Sequence, residues 1–133
     1  MNMKRMMAAA VLATAISLSL QPVYAQQPQL HRTDLVKSDI SAPGHEAVQV
    51  RVDFDPGAVS IKHRHPGEEI AYVLEGTIEY QLEGKKPVAL KAGDSLFIPD
   101  GVAHLARNVG DGKASELATY VVRKGATLVE PAE

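Results

Sequence analysis

The chain has 133 residues, a net charge of −2 with histidine neutral, no cysteine and no tryptophan. Without cysteine there is no thiolate metal ligand and no thiol nucleophile, although an oxidising compartment stays open because it permits disulfides without requiring them. No basic run interrupts the mildly acidic balance, so nucleic-acid binding has no electrostatic footing, and the length suits one small domain.

The N-terminus reads as a targeting segment. Lys4 and Arg5 form a short basic region, and Met6 to Leu20 is apolar and uncharged. Val23-Tyr24-Ala25 places small residues where a signal peptidase needs them. A signal peptide over residues 1–25, cleaved after Ala25, is expected. A membrane span needs roughly 20 apolar residues, and this stretch is shorter and breaks at Gln21-Pro22. No cysteine follows to carry a lipid anchor, and Lys4-Arg5 is not a twin arginine. The expected destination is a bacterial periplasm, reached unfolded, with no membrane attachment after cleavage.

Residues 26–46 read as irregular, with room for one strand or turn at an edge. From 47 to 133 the pattern is short strands. Val48, Val50, Val52 and Phe54 alternate with polar residues, as on a half-buried strand, until Asp55-Pro56-Gly57 breaks the run. Val59, Ile61, His63 and His65 share the next face. A buried strand follows over 69–75, turning at Gly76 into 77–83, where Ile78, Tyr80 and Leu82 alternate with Glu79 and Gln81. After the Glu83-Gly84-Lys85-Lys86 turn come short strands over 88–90 and 95–98, then 103–109 and 116–122, each bounded by Gly, Pro or Asp. No helical period appears after Ala25. Even strands with regular turn signals predict an all-β sandwich or barrel.

Chemistry concentrates at His63, His65, Glu69 and His104. Histidine and glutamate are ligand types for first-row transition metals. On an extended chain residues i and i+2 face the same way, so His63 and His65 project together and Arg64 turns away. Pro66-Gly67 can bend the chain and return Glu69 to that side. His104 must arrive from another strand.

These residues fall inside two longer patterns. Gly57 to Gly76, GAVSIKHRHPGEEIAYVLEG, fits G-x5-H-x-H-x3-E-x6-G, and Gly93 to Asn108, GDSLFIPDGVAHLARN, fits G-x5-P-x-G-x2-H-x3-N. The chain thereby resembles the cupin superfamily, with both of its motifs complete and in order. The resemblance implies a double-stranded β-helix, or jelly-roll barrel, and one divalent metal ion held by His63, His65, Glu69 and His104. It also implies a homodimer. Three imidazoles and a carboxylate suit iron, manganese, nickel, copper or zinc, and a chain that folds after export would choose among them in the periplasm.

Alternation places Ala71 and Val73 inward with Glu69, and Ala106 and Asn108 inward with His104. Val59 and Ile61 are expected below His63. This small, aliphatic lining with few aromatics favours a small polar substrate over a sugar nucleotide. Tyr72 should face away from the metal, while Arg51, Tyr80 and Tyr120 have no assigned pocket role. Gly57, Gly76, Gly93 and Gly101 read as turn residues, Pro99 as a rigid turn element and Asn108 as structural. Glu68, His31 and His45 read as surface residues. The motifs assign no catalytic residue beyond the ligands. Three functions fit. One is a metal-dependent enzyme of oxygenase or isomerase/lyase type. The others are a non-catalytic module binding a small ligand or the metal itself, and a structural, storage-like protein.

Overall fold

Alternating apolar and polar side chains build this molecule strand by strand. The structure, a computed structural model, describes residues 26–133, so the expected signal peptide over 1–25 lies outside the described residues. Within them the chain forms ten strands and no helix. They are β1 (Leu30–Asp39), β2 (His45–Phe54), β3 (His63–Arg64), β4 (Gly67–Glu75), β5 (Thr77–Leu82), β6 (Val88–Lys91), β7 (Ser95–Ile98), β8 (His104–Asn108), β9 (Ala114–Arg123) and β10 (Glu130–Pro131). Two five-stranded antiparallel sheets result, ordered β1-β2-β9-β4-β7 and β10-β3-β8-β5-β6. Their inner faces supply one core: Val50, Val52 and Phe54 from β2, Val73 from β4, Ile78 and Tyr80 from β5, and Ala118, Tyr120 and Val122 from β9.

β4 shows how this works. Gly67, Glu69, Ala71 and Val73 are buried, and Glu68, Ile70, Tyr72 and Leu74 between them are exposed. One period-2 pattern therefore fixes the face on which Glu69 stands. Where β4 meets β9, a side chain on Gly67 would lie 2.0 Å from the Val121 carbonyl oxygen. Gly76, at φ 75°, turns β4 into β5, and a Cβ there would stand 2.7 Å from the Lys113 carbonyl oxygen.

Within residues 26–46 the edge strand for which the sequence left room is β1, which runs antiparallel to β2 along the sheet edge, with a register shift between Asp34 and Val36. All of β1 beyond Leu30 is exposed, so backbone hydrogen bonds hold it and no burial alternation marks it in the sequence. One expectation needs correction: Val59 and Ile61 do not lie on a buried face with His63. They are 42% and 60% exposed, and the strand there is reduced to His63–Arg64. Ser60 is the reason. Its hydroxyl accepts from the Ala106 amide at 2.9 Å, while its own amide donates to the Ala106 carbonyl at 2.9 Å. A side chain standing in the ladder breaks the count of two, and Ala58 is buried instead.

Candidate metal centre

The crossing from one sheet to the other assembles the site. β3 belongs to the second sheet and β4 to the first, with only His65 and Pro66 between them. His63 pairs directly with His104 across β3 and β8, and Glu69 approaches from the opposite sheet. All four side chains are buried, at 8% exposure for His63 and 3% for His65, Glu69 and His104. One ring nitrogen from each histidine lies within 4.8 Å of the others. Glu69 Oε2 stands 2.9 Å from His65 Nε2 and 3.3 Å from His104 Nε2. The four residues singled out in the sequence thus meet.

Each ring is oriented from behind. His63 Nδ1 contacts the Ile61 carbonyl at 2.7 Å, His65 Nδ1 the Leu128 carbonyl at 2.6 Å, and His104 Nδ1 the Val102 carbonyl at 2.9 Å. A carbonyl only accepts, so each Nδ1 carries the proton and each neutral ring turns an Nε2 lone pair inward. The ring of Tyr120 packs edge-on against His65 at 4.6 Å.

This arrangement fits a cation. With the Nδ1 protons committed, His65 Nε2 and Glu69 Oε2 face each other as two acceptors, and both atoms are buried without a hydrogen-bond partner. Opposed buried lone pairs are costly unless positive charge lies between them. The nitrogens lie within 4.8 Å of one another, wider than the roughly 4.2 Å that two metal–nitrogen bonds of about 2.1 Å span at most, so a bound ion would draw the rings together. Electrostatics point the same way. Burial opposes an ionised Glu69, but in the metal-free site a proton on the facing His104 or His65 Nε2, by hydrogen bonding and charge, outweighs it and holds the carboxyl at about 2; a metal cation would take that proton's place. Burial also opposes charge on His104, yet Glu69 keeps its pKa above the usual imidazole value. His63 is pushed down to about 4, by burial first and then by the neighbouring imidazoles, so its lone pair is free at neutral pH.

A cavity of about 30 Å³ adjoins the cluster, room for roughly two waters. His63, Glu69, Tyr80, His104, Glu116 and Tyr120 all line it. Leu30 and Arg32 from β1 also border it. An open apolar cleft of about 360 Å³ shares Leu30, Arg32, Ser60 and His63 and adds Val59, Ile61 and Val129. The exposed Val59 and Ile61 therefore form the approach to the cavity and not its floor.

The lining is less aliphatic than expected. Ala71, Val73, Ala106 and Asn108 are buried as alternation requires, but of these only Ala106 borders the cavity. Tyr80 and Tyr120, unassigned from the sequence, both line it, whereas Arg51 is exposed and pairs with Asp53 at 3.0 Å. Asn108 is structural: its amide donates to the Asp55 and Gly112 carbonyls at 3.1 and 2.8 Å. Glu116 was missed. It shares parity with Ala114, Ala118, Tyr120 and Val122, so alternation along β9 already placed it inside.

A sequence model of the family described as "Cupin domain" matches residues 50–120, more than half of the chain. The chain is 44% identical over 45 residues to the dimethylsulfoniopropionate lyase DddQ of Ruegeria pomeroyi, covering 34% of this chain and 22% of that protein. It is 32% identical over 78 residues to the oxalate oxidase GF-2.8 of Triticum aestivum, covering 53% of this chain and 35% of that one. In both, the match spans well under half of the relative's length. A crystal structure of a cupin-like protein from Thermotoga maritima superposes with a TM-score of 0.64 at 27% identity, over 77% of this chain and 75% of the other. The chain belongs to the cupin family.

Proposed function

We propose that this cupin is a metal-dependent enzyme of oxygenase or isomerase/lyase type, acting on a small polar substrate. His63, His65, Glu69 and His104 would hold one divalent transition metal ion. The observation that carries the reading is the commitment of all three Nδ1 atoms to carbonyls, which leaves three Nε2 lone pairs and one carboxylate converging in a buried space. A metal bound there would act as a Lewis acid or redox centre with room for an exchangeable ligand. The chain's own residues supply the rest. The cavity admits a molecule of few heavy atoms, Arg32 offers positive charge beside it, and the neutral Tyr120 hydroxyl, which accepts from Arg32 at 3.4 Å, offers a hydrogen bond, while the Tyr80 proton is held by Glu116. Burial raises both tyrosine pKa values, which keeps those hydroxyls protonated. The substrates for which the two relatives are named, dimethylsulfoniopropionate and oxalate, are small carboxylates, a class that Arg32 would suit. The proposal also takes the protein as exported to the periplasm and as a homodimer.

The test is to reconstitute metal-free protein with iron, manganese, nickel, copper or zinc in turn and offer each form a panel of small carboxylates. Oxygen uptake and proton NMR follow the reaction. Turnover with at least one metal, lost in His104→Ala, is expected. Saturable binding without turnover across the panel would favour the alternative, a non-catalytic ligand-binding module.

A further inference from the structure

Glu116 is a buried carboxylic acid that the ligand set does not use. It stands on β9 at the parity of Ala114, Ala118 and Val122, all buried and apolar. An apolar residue would serve the core there, and an isolated buried carboxyl is expensive. It borders the metal-side cavity and is 5% exposed. Its Oε2 accepts the Tyr80 hydroxyl at 2.5 Å, and among the described residues Oε1 has no hydrogen-bond partner. No hydrogen bond or ion pair joins Glu116 to His63, His65, Glu69 or His104.

We infer that Glu116, steadied by Tyr80, is the acid–base group of this cavity, giving a proton to or taking one from the molecule bound beside the metal centre. The inference rests on the metal-centre reading above. Tyr80 occupies one carboxyl oxygen and leaves Oε1 to carry the exchangeable proton. In the base direction, Oε1 takes a proton from an X–H bond of the substrate and the bonding pair stays on X. In the acid direction the same proton returns to product, and the carboxylate left behind keeps the Tyr80 hydrogen bond. No oxidant or reductant is involved.

The groups around Glu116 favour this role. Glu69 from β4 is a second acid, Arg32 from β1 and His104 from β8 bring positive charge, and Tyr80 from β5 and Tyr120 from β9 are neutral. Burial first, then the charge of Glu69, pushes the Glu116 pKa up to about 7, against the Tyr80 hydrogen bond and the charges of Arg32 and His104. Perturbed acids in clefts mark functional sites, and here cavity and hydrogen-bond geometry point the same way.

The test is proton linkage. Zinc-loaded protein is titrated with azide in two buffers of different ionisation enthalpy across a pH series, and calorimetry gives the protons taken up per azide bound. Above the Glu116 pKa the native protein should take up about one proton per azide, because an anion in the cavity drives the carboxylate to protonate. Glu116→Gln should keep its zinc and lose the uptake. Tyr80→Phe removes the donor that favours the carboxylate, so its uptake should begin at higher pH, and this variant decides the matter if Glu116→Gln does not fold. Uptake unchanged in both variants would assign the proton to metal-bound hydroxide and overturn the inference, as would no uptake, or no azide binding, in the native protein. Failure of the native protein to retain zinc would instead overturn the metal centre, and the inference with it.

Discussion

Glu116 is the residue at which pH acts on stability most distinctively. Its folded pKa of about 7 lies above the ordinary 4.5. Between those values the folded state keeps a proton that the unfolded chain has released, so this group favours folding at the acid end. Its contribution is lost as pH rises through the window. Metal-free Glu116→Gln has no such proton to lose. Denaturant titrations across that window should show native stability falling relative to the variant as pH rises, and parallel curves would contradict the assignment. His63 works in the opposite sense. With its folded pKa pushed down to about 4 from 6.5, the unfolded chain binds more protons between those values. Its contribution is present above about 6.5 and is lost as pH falls. Tyr80→Phe leaves the buried Glu116 without its donor, and a cost of roughly 1–3 kcal/mol is expected from the same titrations at a pH where the carboxyl is ionised.

Among the elements, β4 and β9 carry Glu69, Glu116 and Tyr120, and their contact depends on Gly67. An added Cβ would meet Val121 O at 2.0 Å and Val122 Cα at 2.7 Å, both backbone atoms that cannot swing aside. Gly67→Ala should push the strands apart and destabilise by about 3 kcal/mol, the upper end for overpacking. Gly93→Ala has open space around its Cβ and only a φ of 94° against it, a strain of roughly 1–2 kcal/mol. Chemical denaturation of both variants checks the order, and a smaller loss for Gly67→Ala would contradict it. The strands' own patterns made most of this arrangement readable. β4, β5 and β8 bury alternate residues, so Glu69, Tyr80 and His104 could be placed on a face without coordinates. The failures have physical causes. β1 buries almost nothing and leaves no period to read. Around Ser60 a side chain replaces a ladder partner, so the count from His63 back to Val59 fails. Glu116 was legible by parity but carries no motif to draw attention to it.

For the molecule as a whole, the outer face of the first sheet bears on assembly. Ile70, Tyr72, Leu74 and Phe97 are 39–56% exposed, and Ile70 pairs with Phe97 across β4 and β7. Grouped large apolar side chains commonly mark interaction surfaces. If the proposed homodimer uses this face, light scattering should return about twice the chain mass, and Phe97→Asp should halve it. A native monomer at every concentration would contradict the dimer. If the chain is exported as proposed, the mature protein should begin at Gln26, and intact-mass spectrometry of a periplasmic extract reads that directly. The central claim, however, is that two sheets converge four side chains on one metal ion. Plasma mass spectrometry on untagged protein, purified without added metal beside His104→Ala, tests it most directly. The account predicts about one transition-metal ion per chain in the native protein and almost none in a variant that keeps its β-sheet circular dichroism. Full metal retention in His104→Ala, or a native protein that takes up no metal even when it is supplied, would contradict it.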